Sequence, residues 1–187
     1  MKKQVLIILI ISLFIGELSY SQTTLEAVTQ TLNGKKWLNK SILNKTYPLN
    51  SISKAKFNNG KSKEIIKLDI PEGTYNIFFR VTVLDIKSKY QFPAQETFFA
   101  TAFEKKGDGN LYKPTNSLFD FFIFQFSGDA ESFLKDEKYN NNYFKLNTNS
   151  FWDKISVKGN NYWIGLRNPN TFDGIKIILE VVAQGYY

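Results

Sequence analysis

The chain has no cysteine and no histidine. Without cysteine there are no disulfides, no thiol nucleophile and no residue to carry an exported lipoprotein's lipid. Without histidine as well, triads that need an imidazole base are excluded, together with the usual zinc and iron sites. Arginine is almost absent: Arg80 and Arg167 stand alone among 24 basic residues. The formal net charge is +7, and a basic balance invites a nucleic-acid reading. Arginine, however, is the residue that reads phosphates and bases by bidentate contact. The lysines are scattered, in pairs at most, so no specific nucleic-acid partner is expected. No glycine loop is built to cradle phosphate, because "GDGN" lacks the flanking strand, helix and lysine. Long apolar runs are also missing. The one candidate, Val5 to Ile15, falls short of the roughly 20 residues that a membrane span needs.

That short run has its own meaning. In MKKQVLIILIISLFIGELSYSQ, Lys2 and Lys3 precede the apolar segment, and Ser19 and Ser21 put small side chains before Gln22. This is the pattern of a secretory signal peptide. It predicts cleavage near Ser21-Gln22 and export to the periplasm or the extracellular space. Residues 1–21 are thus a leader, 22–60 a helical or irregular lead-in, and 61–187 the main domain. About 166 residues then remain, a size that buries roughly 70% of the unfolded surface. Seventeen Phe, ten Tyr and three Trp supply the core that disulfides do not.

In the lead-in, Thr23 and Glu26 have capping-box spacing ahead of Leu25, Val28 and Leu32. A second short helix is expected over Lys36 to Asn44. Such an arm either engages a partner or packs on the domain surface. From Lys63 the period becomes two. "KEIIKLDIPEGTYNIFFRVTVLD" reads as a hairpin through Pro71-Glu72-Gly73. "TFFATAFE" reads as a strand, and "KKGDGN" as a turn. "SLFDFFIFQFS" is apolar on both sides, which predicts a strand buried on both faces. Asp129 is placed to cap a short helix, "AESFLKDEK". "KISVKGNNYWIGLRN" reads as a hairpin through Gly159-Asn160-Asn161, and residues 161–183 as a closing hairpin. Ile164, Leu166, Ile175, Ile177, Leu179 and Val181 are expected in its core. Many short strands with closely spaced turn signals predict an all-β fold, an antiparallel, jelly-roll-like β-sandwich.

Two stretches echo each other. Tyr75, Ile77, Phe79 and Arg80 match Tyr162, Ile164, Leu166 and Arg167 at one constant offset. Related strands in opposed sheets would produce this, and so would a shared turn grammar. "IPEGTYNIFFRVTVLD" with "YWIGLRNPNTFDGIKIILEVVA" resembles small secreted bacterial sandwich modules of the pre-peptidase C-terminal and GOLD-like kind. That resemblance implies an accessory or binding domain rather than a catalytic one.

Three chemistries stay open. Sugar binding needs aromatic faces with polar neighbours, and Trp152, Trp163, Arg167, Asn168 and Asn170 are the candidates. Trp163 either forms an outward platform or is secondary core. Calcium needs six to eight oxygens. The loops offer Asp108, Asn110, Asn168, Asn170 and Asp173, all of which also suit ordinary turns. A glycan hydrolase would need two carboxylates, drawn from Asp120, Asp129, Asp153 and Asp173. Asp120, inside an apolar strand, is either perturbed or paired with a lysine at a strand edge. The leading expectation is a non-catalytic binding or accessory module for carbohydrate or a protein partner. A cell-envelope assembly protein and a carboxylate hydrolase are the alternatives.

Overall fold

The computed structural model describes residues 31–32, 34–57, 60–88 and 117–187. The leader, most of the helix expected from Thr23, the strand at 97–104, and Asp108 and Asn110 lie outside the described residues. The chain divides into two compact units. In the smaller, Met1–Leu38 with Tyr186–Tyr187, strand β1 (Thr31–Leu32) pairs antiparallel with the start of β2 (Lys35–Leu49). Lys36 and Tyr187 there exchange backbone hydrogen bonds, and the Trp37 ring meets Tyr186 edge-on at 4.8 Å.

The larger unit, Asn39–Gly185, is an antiparallel β-sandwich. Its strands are β3 (Lys63–Asp69), β4 (Thr74–Asp85), β5 (Phe119–Phe124), β6 (Tyr143–Thr148), β7 (Phe151–Ser156), β8 (Asn161–Arg167) and β9 (Ile175–Tyr186). Among the described residues, two helices join them, α1 (Ile52–Phe57) and α2 (Ser127–Lys135). In this unit the first sheet runs β2, β9, β4, β7, and the second runs β3, β8, β5, β6.

Alternation in the sequence sets which side chains meet between the sheets. Ile77, Phe79, Val81 and Val83 of β4 and Ile175, Ile177, Leu179 and Val181 of β9 face Phe119, Phe121 and Ile123 of β5 and Ile164 and Leu166 of β8. Strand β5 is buried along its whole length, as its two-sided apolar pattern requires. Its other face, Phe122 and Phe124, packs against Ala130 and Phe133 of α2, which lies across the second sheet. Gly165 makes this docking close. A Cβ there would sit 2.7 Å from the Phe124 ring and 3.3 Å from the Phe133 ring.

Several expectations are corrected. Residues 36–44 are strand, not helix. Hydrogen bonding alongside β9 overrides the local helical spacing of Trp37, Leu38 and Ile42. The three expected hairpins are arches. β3 pairs with β8, whereas β4, the next strand, pairs with β7 and β9. Likewise β7 and β8, and then β8 and β9, lie in opposite sheets. A glycine turn between two alternating runs serves a hairpin or an arch equally. Gly73 (φ 88°) and Gly159 (φ 87°) supply the left-handed residue in the first two. Asp129 does not cap α2. Phe126 holds the N-cap position without a side-chain bond, and Asp129 instead accepts the Asn140 N–H at 2.8 Å.

The internal echo therefore falls on strands of opposed sheets. Each echoed arginine stands directly across from an acid on the neighbouring strand, Arg80 from Glu180 and Arg167 from Asp120. Both pairs are bonded through the arginine Nε, at 2.5 and 2.7 Å.

Candidate functional site

Asp120 owes its position to an irregularity. The pairing of β5 with β6 shifts register between Phe119 and Phe121, and Asn147 adopts a left-handed φ of 48°. The displaced Asn147 N–H donates to Asp120 Oδ1 at 2.7 Å, and Arg167 Nε donates to Oδ2 at 2.7 Å. Asp120 is thus buried with both oxygens engaged, and its partner is an arginine, not the expected lysine. It also lies on an inner strand of its sheet, not at an edge. The Arg167 guanidinium rests over the Phe122 ring at 5.5 Å. Its Nε is committed, and the side chain as a whole remains a third exposed.

Arg167 lines a cleft of about 430 Å3 with α1, the start of β3, Asp136 and Pro169. Lys63 reaches in from β3 to donate to the Phe133 carbonyl at 2.9 Å and to pair with Asp136, closing the C-terminus of α2. An adjoining depression of about 350 Å3 shares Ser62, Lys63 and Asp136. Asn168, by contrast, is structural. Its Nδ2 donates to the Asn50 and Asp173 carbonyls at 3.0 and 2.8 Å, and its Oδ1 accepts the Asn170 N–H at 3.0 Å. Asn170 in turn donates to the Leu118 carbonyl at 2.9 Å. The Asn170 and Thr171 carbonyls accept the first N–H groups of α1, at 3.0 and 3.1 Å. The turn after β8 is therefore held by its own asparagines, and Asp173 stands exposed at its end.

The tryptophans part company. Trp163 is half-buried against Phe122, Phe124 and Phe133, as secondary core beneath α2. Trp152 lies in the other sheet, on edge strand β7, and is 53% exposed. It shares the outward face with Lys154 and Ser156, and Trp152, Lys154 and Ser156 stand across from Arg80, Phe78 and Asn76 of β4 in turn. A polar ladder crosses this face. Ser156 Oγ donates to Asn76 Oδ1 (3.4 Å), Asn76 Nδ2 to Gln184 Oε1 (3.1 Å) and Gln184 Nε2 to Asn39 Oδ1 (3.0 Å). Sequence reading missed this ladder because its members lie on four strands far apart in the chain. The available signal was an amide at an outward position of each of three strands.

The remaining carboxylates are dispersed. Asp153 accepts the Tyr143 hydroxyl at 2.7 Å and the Lys154 N–H at 2.9 Å, with Lys145 Nζ 3.5 Å away. Burial pushes its carboxyl up, but the hydroxyl, the N–H and the ammonium together hold it below its usual value. Burial, and then the bond and charge of Asp153, raise the Tyr143 phenol well above its usual range. No cluster of three or more metal-binding side chains occurs among the described residues, nor any helix long and apolar enough to cross a membrane. No family model and no curated protein matches the chain.

Proposed function

We propose that the protein is an exported, non-catalytic carbohydrate-binding module, and that it binds through the outer face of the first sheet around Trp152. The observation that carries this reading is the exposed Trp152 ring on the same strand face as the amide ladder. An exposed indole offers a broad apolar plane for the hydrophobic face of a pyranose ring. Each ladder amide has two N–H donors and two acceptor lone pairs. The ladder uses one acceptor of each of Asn76, Gln184 and Asn39, which leaves oxygen lone pairs and N–H groups for sugar hydroxyls. Trp152 and the Ser156 row are four residues apart on β7, roughly 13 Å at the strand rise. That span suits a short oligosaccharide better than a single ring. The engagement of Asp120, Asp129 and Asp153 in hydrogen bonds or ion pairs favours binding over hydrolysis.

Isothermal titration against a panel of neutral oligosaccharides tests this. Binding that is lost in Trp152→Ala and weakened in Asn76→Ala supports it. Undiminished binding in Trp152→Ala overturns it. A thermal melt with calcium and with EDTA tests the ion reading of the Asp108–Asn110 and Asp173 loops in parallel. An envelope assembly role is the second reading. It is favoured by Phe144 and Leu146, both exposed on β6, the last strand of the second sheet among the described residues. It predicts oligomers in size-exclusion chromatography, and Phe144→Lys should dissociate them.

A further inference from the structure

We propose that the cleft beside Arg167 is a second binding site, separate from the Trp152 face, and that it takes a small hydroxylated monocarboxylate such as a sugar acid. Three features specify that chemistry. The first is the guanidinium. Buried Asp120 fixes it through Nε and the Phe122 ring lies against its face at 5.5 Å, so the guanidinium plane is held in one orientation at the cleft it lines. An arginine held in this way matches the two oxygens of a carboxylate.

The second feature is charge. Lys56, Lys63 and Arg167 line the cleft, set against Asp136 and the adjacent Asp120. Lys63 is committed to Asp136 and Arg167 to Asp120, which leaves the exposed Lys56 ammonium on α1 as the uncompensated charge. One net positive charge suits a monoanion better than a phosphate dianion. The third is the remaining lining. Ile52, Ala55 and Pro169 form an apolar wall, and the Ser62 hydroxyl and Asp136 carboxylate can bond ligand hydroxyls. At about 430 Å3 the cleft falls within the range of small-ligand sites.

The test is isothermal titration of the full chain with glucuronate, glucose and inorganic phosphate at low ionic strength. Saturable glucuronate binding is expected, at least about tenfold tighter than glucose or phosphate. Lys56→Glu, on an exposed helix face, should weaken glucuronate severalfold without loss of fold. Arg167→Lys keeps a cation for Asp120 but loses the fork, and should weaken it by about tenfold. Trp152→Ala should leave glucuronate binding unchanged, so that failure of this site and failure of the sugar-binding face are read apart. Equal binding of glucose, tighter binding of phosphate, no saturable binding, or insensitivity to both cleft variants would each overturn the assignment.

Discussion

Removing Arg167 should cost more stability than removing Asp120, although the two form one ion pair. Arg167→Ala leaves the Asp120 carboxylate, whose side chain is 2% exposed, without its cation. Breaking a buried pair in this way costs about 3–5 kcal/mol. In Asp120→Ala the surviving charge is a guanidinium already 33% exposed, which can turn to water. The exposed Asn147 N–H can be hydrated too. The loss is then about 1.5–3 kcal/mol, that of a charge-assisted hydrogen bond. For a domain of this size each kcal/mol lowers Tm by about 2–4 °C, which gives roughly 6–20 °C for Arg167→Ala and 3–12 °C for Asp120→Ala. The double variant should be more stable than Arg167→Ala alone, because no buried charge remains unpaired. Urea denaturation of the three variants measures this directly. Asp120→Ala proving the more damaging single change, or strict additivity in the double variant, refutes the reasoning.

Other outcomes follow from the packing and the titrating groups. Phe133→Ala empties the seam between α2 and the second sheet and should cost about 3–5 kcal/mol by denaturant titration. Gly165→Ala drives a Cβ into the Phe124 ring and should cost about 1–3 kcal/mol. Gly185→Ala should be worse, since its Cβ would meet the Gly73 carbonyl at 2.0 Å and backbone yields less readily than a ring. The lowered Asp153 carboxyl stabilises the fold above its unfolded value, about 3.9, and that stabilisation is lost as pH falls through the folded value. Tyr143→Phe removes the largest group lowering it, so NMR titration of Asp153 should show its midpoint move upward.

Much of the layering was legible in the sequence. Strict alternation over Thr74–Asp85 and over the last strand placed Ile77, Phe79, Ile177 and Leu179 inward. The two-sided run at Phe119–Phe124 announced a strand with a core on each face. The partition of strands between sheets was not legible. Pro71-Glu72-Gly73 and Gly159-Asn160-Asn161 reverse the chain in the same manner whether the next strand pairs in plane or crosses to the facing sheet. The decision rests with distant partners, β8 for β3 and β9 for β4. The same limit hid the Asp120–Arg167 pair, 47 residues apart, and the ladder joining Asn39, Asn76, Ser156 and Gln184. Trp152 and Trp163 looked like neighbours in sequence, yet an arch sends them to different sheets, one outward to solvent and the other beneath α2. Asn168 and Asn170 looked equally suited to a ligand or a turn. The backbone carbonyls around them, from Asn50, Leu118 and Asp173, make them the struts of that turn.

Carbohydrate binding by the outer face of the first sheet, around Trp152, is open to a direct test. The most direct measurement is an NMR titration of the protein with short neutral oligosaccharides, following the Trp152 indole N–H and the side-chain amides of Asn76, Gln184 and Asn39. These four signals should shift together and saturate at one dissociation constant, with the Trp163 indole unmoved. Shifts confined to other residues, or no shift with any sugar, would contradict it.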